Sequence, residues 1–217
     1  MSVRSRARAR RRARAPAAAV LGAALVWLLV CWAVLQHPRV DAPAPSDALF
    51  VLGPHDPVRM AEAFRLMEAG TAPVLVVATP QPRSGYSSEA LRFMREKAFC
   101  PGGGDAGGRG AGERGYEVVC FEPDPSTTQG EAMALRDLAG DRGWDHVSVL
   151  TYRQHVPRAR LLLGRCYSGR LDALSFDYSF GPRQVLYQFL YQSGGFVKAW
   201  FTPGCDQQLP GEPKSLG

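Results

Sequence analysis

Residues 145–159 read DHVSVLTYRQHVPRA. The apolar run at 146–150 predicts a short buried strand, and Pro157 predicts that a helix begins directly after it. Ligands of an open α/β sheet bind at such junctions, at the carboxyl ends of the strands. The free N–H groups and the positive dipole end of a helix amino terminus also favour anions there. This stretch therefore predicts an anion-binding edge within an α/β domain.

Strand and helix patterns alternate on both sides of this junction. Apolar runs predict further strands at 48–52, 73–78, 116–121 and 170–176. Helices are predicted from Pro57 to before Gly70, and at 87–97, 128–141, 157–166 and 182–201, the last with Gly194-Gly195 as a point where it could break. Such alternation predicts a three-layer, Rossmann-like α/β domain with a mainly parallel sheet of about five strands.

A glycine-rich segment at 101–115 interrupts this alternation, and eight of its fifteen residues are Gly. This composition predicts a surface loop. Residues 102–107 match the pattern G-x-G-x-x-G, but no strand precedes them and no helix follows them. We therefore reject a dinucleotide-binding motif, and no phosphate-loop motif supports a nucleotide site. We expect no cofactor.

The charge distribution argues against a nucleic-acid partner. Seven of the 26 Lys and Arg residues lie within residues 1–14, which leaves 19 basic against 20 acidic residues in the rest of the 217-residue chain. A nucleic-acid-binding domain would carry a basic face on its folded part. The basic residues here form a tail beside an apolar segment, and this arrangement is more typical of a membrane topology signal.

The apolar segment at 17–35 contains no charged residue. As a helix it would span nearly 30 Å, enough for the core of a bilayer. The arginines before it predict a cytoplasmic amino terminus and an extracytoplasmic remainder. A cleaved signal peptide is the alternative, although its apolar region is usually shorter. We expect a basic tail at 1–15, a transmembrane anchor at 16–36, a Pro-rich linker at 37–46, an extracytoplasmic domain at 47–202 and an irregular tail at 203–217.

Four of the five cysteines lie outside the apolar segment. An even number in an extracytoplasmic domain predicts two disulfides, for which three pairings exist. We prefer Cys100–Cys120, which would close the glycine-rich segment, and Cys166–Cys205, which would tie the last segment to the domain. Metal binding is the alternative, but neither Cys-x-x-Cys spacing nor a histidine cluster supports it, and we expect no metal site.

The candidate site residues lie at or near the predicted carboxyl ends of the strands. Capping alone could explain Thr128 and Glu131, because Ser126–Gln129 and Thr128–Glu131 both fit a capping box. His155 and Arg158 are harder to explain, because a cation is unfavourable in the first turn of a helix unless a carboxylate or an anion lies nearby. We predict that His155 and Glu122 are catalytic and that an anion is bound by Thr151, Arg153, Arg158, Thr128 and Arg59.

Three sequence blocks occur together between residues 47 and 180. They are Arg59, Ala63, Leu66 and Gly70 followed by Ala72-Pro73; Glu122 six residues before Thr128; and Thr151 followed by His155-Val-Pro-Arg158-Ala159. Together they resemble the membrane-anchored, envelope-associated branch of the YdcF-, ElyC- and SanA-like proteins, the domain of unknown function 218. The resemblance implies a Rossmann-like domain outside the cytoplasmic membrane and a role in envelope biogenesis or barrier integrity.

Two hypotheses about function follow from these residues and from the resemblance. In the first, the protein binds or processes a phosphorylated envelope precursor. His155 would act as acid or base, Arg153 and Arg158 would hold the anion, and Glu122 would orient His155. In the second, it is a non-catalytic accessory protein that recruits envelope-assembly proteins, and the polar cluster serves stability. The high Arg, Ala and Gly content is typical of a GC-rich bacterial genome.

Overall fold

The computed structural model describes residues 3–53, 56–79, 115–176, 178 and 180–206, with the backbone alone for 3–17. The predicted helix at 87–97, Cys100 and nearly all of the glycine-rich segment lie outside the described residues. The chain divides into two compact units, Met1–His37 and Pro38–Gly217.

The first unit is one helix, α1 (Val3–Gln36). Its segment Ala18–Gln36 has a mean hydropathy of 2.5, and is long and apolar enough to cross a membrane. A signal sequence has the same properties, so length and composition leave both the anchor and the signal peptide open.

The second unit is an α/β domain, as the alternating patterns predict. The strands described are β1 (Ala48–Val51), β2 (Val74–Ala78), β3 (Glu117–Phe121), β4 (His146–Tyr152) and β5 (Arg170–Phe176). The helices described are α2 (Pro57–Glu68), α3 (Thr128–Arg142), α4 (Val156–Cys166) and α5 (Pro182–Phe201), with a 3-10 turn at Arg153–His155.

The five strands form one parallel sheet in the order β3-β2-β1-β4-β5. Alternate residues of β1 pack on opposite faces, as the period of two in a strand requires. Ala48 and Phe50 join the core beneath α3 and α4, whereas Leu49 and Val51 join the core beneath α2. The sheet is therefore the middle of three layers, and the predicted fold class is confirmed.

The ends of the helices follow from local chemistry. Asp56 caps α2 by accepting a hydrogen bond from the N–H of Arg59, and Pro57 occupies the first helical position. Gly70 follows α2 with φ +76°, a left-handed conformation that glycine adopts without steric cost. The last helix, α5, is continuous through Gly194-Gly195.

The Pro-rich segment that was predicted as a linker is bound along the domain. The N–H of Asp41 donates to the carbonyl of Ala173 in β5, and its carboxylate accepts from the N–H of the same residue at 2.7 Å. Arg160 of α4 also donates to this carboxylate. The attachment to the domain therefore begins by Asp41, earlier than the predicted boundary at residue 47.

The predicted disulfide Cys166–Cys205 is confirmed and joins the end of α4 to the segment that follows α5. Cys120 is also disulfide-bonded, but its predicted partner, Cys100, lies outside the described residues.

Candidate functional site

The candidate site lies at the carboxyl edge of the sheet, where β1 and β4 are neighbours. The chain proceeds from β1 outward to β2 and β3 and then returns to β4 on the other side of β1. The direction of strand order therefore reverses between β1 and β4, and this switch point is where open α/β sheets bind their ligands. Gly53 follows β1 here, and Thr151 and Tyr152 end β4.

His155 lies between two threonine hydroxyl groups. Its Nδ1 is 2.9 Å from Oγ1 of Thr151, and its Nε2 is 3.3 Å from Oγ1 of Thr128. The ring stacks on Tyr152 with 5.3 Å between centroids. Burial, together with the charges of Arg158 and Arg59, holds the pKa of His155 well below its usual value. The imidazole is therefore neutral at pH 7, with one nitrogen that donates and one that accepts.

Arg158 is a buried cation whose hydrogen-bond partners are neutral. Its Nε donates to Oε1 of Gln192 at 2.7 Å, its Nη1 donates to Oγ1 of Thr128 at 3.3 Å, and its guanidinium lies over the ring of Tyr191. Within the described part of the chain, no carboxylate lies within salt-bridge distance of it. Because Arg158 also lies in the first turn of α4, the helix dipole disfavours its charge.

Glu131 connects α3 to the end of β1. Its Oε1 accepts a hydrogen bond of 2.6 Å from the N–H of Gly53, 78 residues away in the sequence. Burial raises the pKa of Glu131 to about 7, against the opposing effects of this hydrogen bond and of the charges of Arg59 and Arg158. The site therefore contains a carboxyl group that changes its charge near neutral pH.

The capping boxes considered as an alternative for Thr128 and Glu131 do not form at the start of α3. Thr127 is the cap, and its Oγ1 accepts a hydrogen bond from the N–H of Gly130. This leaves the hydroxyl of Thr128 to lie between His155 and Arg158, and the carboxyl group of Glu131 to reach Gly53. A Cβ on Gly130 would lie 1.9 Å from the carbonyl oxygen of Pro125, so only glycine fits this turn.

Arg59 supports the edge from α2. Its guanidinium donates to the carbonyl of Leu52 and lies over the rings of Tyr152 and Phe176, at 5.5 and 5.6 Å from their centroids. Its Nε is 3.6 Å from Oδ2 of Asp56, which is too long for a good hydrogen bond. Burial lowers the pKa of this arginine. Its described contacts are with the domain itself, and this indicates a structural contribution.

Five of the seven predicted site residues converge at this edge, and all five are buried. They are Arg59, Thr128, Thr151, His155 and Arg158. The other two, Glu122 and Arg153, are exposed. Because both ring nitrogens of His155 face threonines, these hydroxyl groups occupy the positions at which Glu122 was predicted to orient it.

Sequence reasoning did not assign three residues of this cluster to the site: Glu131, Tyr152 and Gln192. The amide group of Gln192 donates to the hydroxyl of Tyr152 at 2.8 Å, and its carbonyl accepts from Arg158. Burial raises the pKa of Tyr152 to about 12, so its hydroxyl remains protonated. Of the three, only Glu131 was noted in the sequence, as part of a possible capping box.

A small pocket of about 40 Å³ opens beside the cluster. Thr128 and Arg158 contribute to its wall, together with Gly195 and Lys198 of α5. Among the residues that the structure describes, no group of three or more His, Cys, Asp or Glu side chains is arranged to hold a metal ion. The residues that line the pocket include two basic ones, Arg158 and Lys198, and no acidic one, a composition that suits an anion.

Comparison of the chain with protein-family models, curated proteins and solved structures finds no match.

Proposed function

We propose that this protein is anchored in the cytoplasmic membrane by α1, and that its domain binds or processes an anionic, phosphorylated precursor of the cell envelope on the outer side. The arginines within residues 1–14 support a cytoplasmic amino terminus. The resemblance of the Arg59, Glu122–Thr128 and Thr151–Ala159 blocks to envelope-associated proteins supports the cellular role.

The observation that carries the proposed binding is the environment of Arg158. A buried guanidinium is costly unless it is paired, and the described partners of this one are Gln192, Thr128 and an aromatic ring. A phosphate group in the adjacent pocket would supply a direct ionic partner through a charge-assisted hydrogen bond. Lys198 lines the same pocket and adds a second positive charge.

If the precursor is processed as well as bound, His155 is the acid or base. It is neutral at pH 7, and Thr128, whose hydroxyl is 3.3 Å from its Nε2, lines the pocket. The guanidinium of Arg158 only donates, so Thr128 accepts from it and can direct its own proton to Nε2. A proton would therefore move between His155 and a ligand through Thr128.

The test of binding titrates inorganic pyrophosphate into the detergent-solubilised full-length protein and measures the dissociation constant by calorimetry. Replacing Arg158→Gln should weaken binding by about 10- to 100-fold, because a hydrogen bond to a charged group contributes roughly 1.5–3 kcal/mol. Arg142→Gln is the matched control, since Arg142 pairs with Glu117 near the amino edge of the sheet. Equal affinities of the two variants would rule out Arg158 as the anion site.

A non-catalytic accessory role is the second candidate, and the internal hydrogen bonds of His155 and Arg158 favour it. The two candidates can be distinguished in cells that lack the native gene and express the double variant His155→Ala/Arg158→Ala. Loss of the envelope barrier at unchanged protein abundance supports binding or processing. Full restoration of the barrier by the variant supports the accessory role.

A further inference from the structure

The last helix, α5, has an inverted amphipathic pattern. Three polar residues in its middle, Gln188, Gln192 and Ser193, are buried. Most of its large apolar side chains face outward, and among them Leu190 is 58% exposed, Trp200 77% and Phe201 70%. The exposed large apolar residues of the helix are Leu186, Tyr187, Leu190, Tyr191, Val197, Trp200 and Phe201. Their spacing places them on one side of the helix, which we call the outer face of α5. A contiguous apolar surface of this kind marks an interaction site.

The fold holds α5 through contacts that leave this outer face uncovered. Gln192 binds Arg158 of α4, and Gln188 accepts from Tyr152 of β4. Arg165 of α4 donates to the carbonyls of Ala199 and Thr202 at the carboxyl end of α5. The disulfide Cys166–Cys205 secures the segment that follows the helix. Apart from Tyr191, whose ring lies over Arg158, the outer face therefore contributes little to holding the helix in place, and its exposure points to a function other than domain stability.

The composition of α5 fits the interface of a lipid bilayer. Residues 182–201 contain no acidic residue, whereas Arg183 and Lys198 are basic. Tyrosine and tryptophan are enriched at membrane–water interfaces, and the outer face carries two tyrosines, one tryptophan and one phenylalanine. Basic residues flanking an apolar helical face also favour anionic lipids. A protein partner would not by itself require the absence of acidic residues.

The connection to α1 keeps the domain near a membrane. Residues 37–40 separate the end of α1 from Asp41, which is bound to β5. Five peptide steps span at most about 18 Å. If α1 is the anchor, the domain is therefore held within reach of the bilayer surface, and docking costs little additional entropy.

We propose that the outer face of α5 lies in the interface of the membrane that α1 crosses, and this inference rests on the proposed anchor. This position would also determine which ligand can reach Arg158. The ring of Tyr191, on the outer face, covers the guanidinium of Arg158, and Lys198 of the same helix lines the pocket. Docking would bring this pocket next to the lipid headgroups. The precursor bound there would then be lipid-linked, with its phosphate reaching Arg158 from the bilayer surface.

The experiment uses the full chain in vesicles of phosphatidylcholine and phosphatidylglycerol with brominated acyl chains. The chain has four tryptophans, Trp27, Trp32, Trp144 and Trp200. In a Trp27→Phe/Trp32→Phe background, with excitation selective for tryptophan, the emission comes from Trp144 and Trp200. We expect the bromine atoms to reduce the emission of Trp200 about twofold or more, because an interfacial helix buries its apolar face 5–10 Å deep.

The matched control adds Trp200→Phe and leaves Trp144 alone. Trp144 is buried near the amino edge of the sheet, and should not be quenched by the lipids. Quenching that disappears with this substitution supports docking. Emission of Trp200 that acrylamide quenches and brominated lipids do not would overturn it. Protection from both, with a doubled mass in detergent, would assign the outer face to a second copy and would also overturn it.

The same preparation separates this inference from the proposed function. If pyrophosphate binding depends on Arg158 but brominated lipids do not quench Trp200, membrane docking is wrong and the anion site is supported. If the lipids quench Trp200 but pyrophosphate does not bind, the anion site is wrong and docking is supported. Removal of the protein from native membranes by alkaline carbonate would overturn the anchor itself.

Discussion

Nε of Arg158 donates a hydrogen bond of 2.7 Å to the carboxamide oxygen of Gln192, and this bond joins α4 to α5. Gln192 is fully buried and also donates to the hydroxyl of Tyr152 at the end of β4. The side chain of Gln192 thus connects α5 to the end of β4 and to Arg158, the candidate anion-binding residue. The position of Arg158 depends on α5 as much as on its own helix.

Replacing Gln192→Met should destabilise the domain. The substitution preserves the length of the side chain but leaves Nε of Arg158 and the hydroxyl of Tyr152 without this partner. An unsatisfied buried polar group costs about 1–3 kcal/mol, and each kcal/mol lowers Tm by roughly 2–4 °C in a chain of this length. Near-ultraviolet circular dichroism gives Tm, and Gln184→Met, at an exposed position of the same helix, is the control. An unchanged Tm for Gln192→Met would contradict the importance of this bond.

Two adjacent glycines of α5 allow a matched comparison. A Cβ on Gly195 would lie 2.6 Å from Cδ and 2.9 Å from Nε of Arg158, whereas a Cβ on Gly194 meets nothing within 4 Å. Gly195→Ala should therefore displace Arg158 and weaken pyrophosphate binding about tenfold, for a cost of roughly 1.4 kcal/mol. Gly194→Ala should bind normally and unfold at a higher temperature, because alanine favours a helix by up to 1 kcal/mol over glycine. Equal affinities of the two variants would show that Arg158 is not held by this contact.

The fold could be predicted from local patterns because each element carries its own signal. The bounds of β5 and α5 agree with the prediction. The strand β4 was predicted to end at Leu150, but it continues because Thr151 and Tyr152 pair with Ser175 and Phe176 of β5. That pairing depends on a neighbouring strand, and no residue within β4 encodes it.

The site could be predicted only in part, because its contacts join residues far apart in the sequence. Thr151 and His155 were predictable since they share one strand-to-helix junction. The contact of Glu131 with Gly53 and that of Arg158 with Gln192 join residues separated by 78 and 34 positions. The exposed position of Glu122 could not be predicted either, because a six-residue spacing to Thr128 does not determine which side chains between β3 and α3 point inward.

The pH dependence of stability should change when Glu131 is replaced by Gln. The pKa of Glu131 in the folded state is raised to about 7, above the value of about 4.3 expected for an unfolded chain. Its contribution to stability is thus present at low pH and is lost as the pH rises from about 4 to 7, because the folded state binds the proton more tightly. The integrated effect is on the order of 3 kcal/mol. Urea unfolding at several pH values measures it, and Glu131→Gln should lose less stability than the wild type over this window.

The control for this comparison is Glu62→Gln. Glu62 contacts Arg65 on the surface of α2, and an exposed ion pair contributes little to stability. If Glu131→Gln and the wild type have the same pH dependence, the pKa of Glu131 is the same in the folded and unfolded states and is not raised by burial.

His155 should have the opposite effect on the same pH profile. Burial and the charges of Arg158 and Arg59 hold its folded pKa well below the usual value, whereas the unfolded chain takes up the proton near pH 6.5. Its contribution to stability is therefore fully present above pH 6.5 and is lost as the pH falls, by about 1.4 kcal/mol for each pH unit well below that point. His155→Gln should be less stable than the wild type at pH 8, because it loses the contacts with Thr151 and Thr128. On acidification, however, its free energy of unfolding should fall less than that of the wild type.

The control is His37→Gln, at an exposed position, whose free energy of unfolding should depend on pH as in the wild type. A steep acid loss that persists in His155→Gln would place its origin in another group, and would leave His155 free to be charged in the folded state.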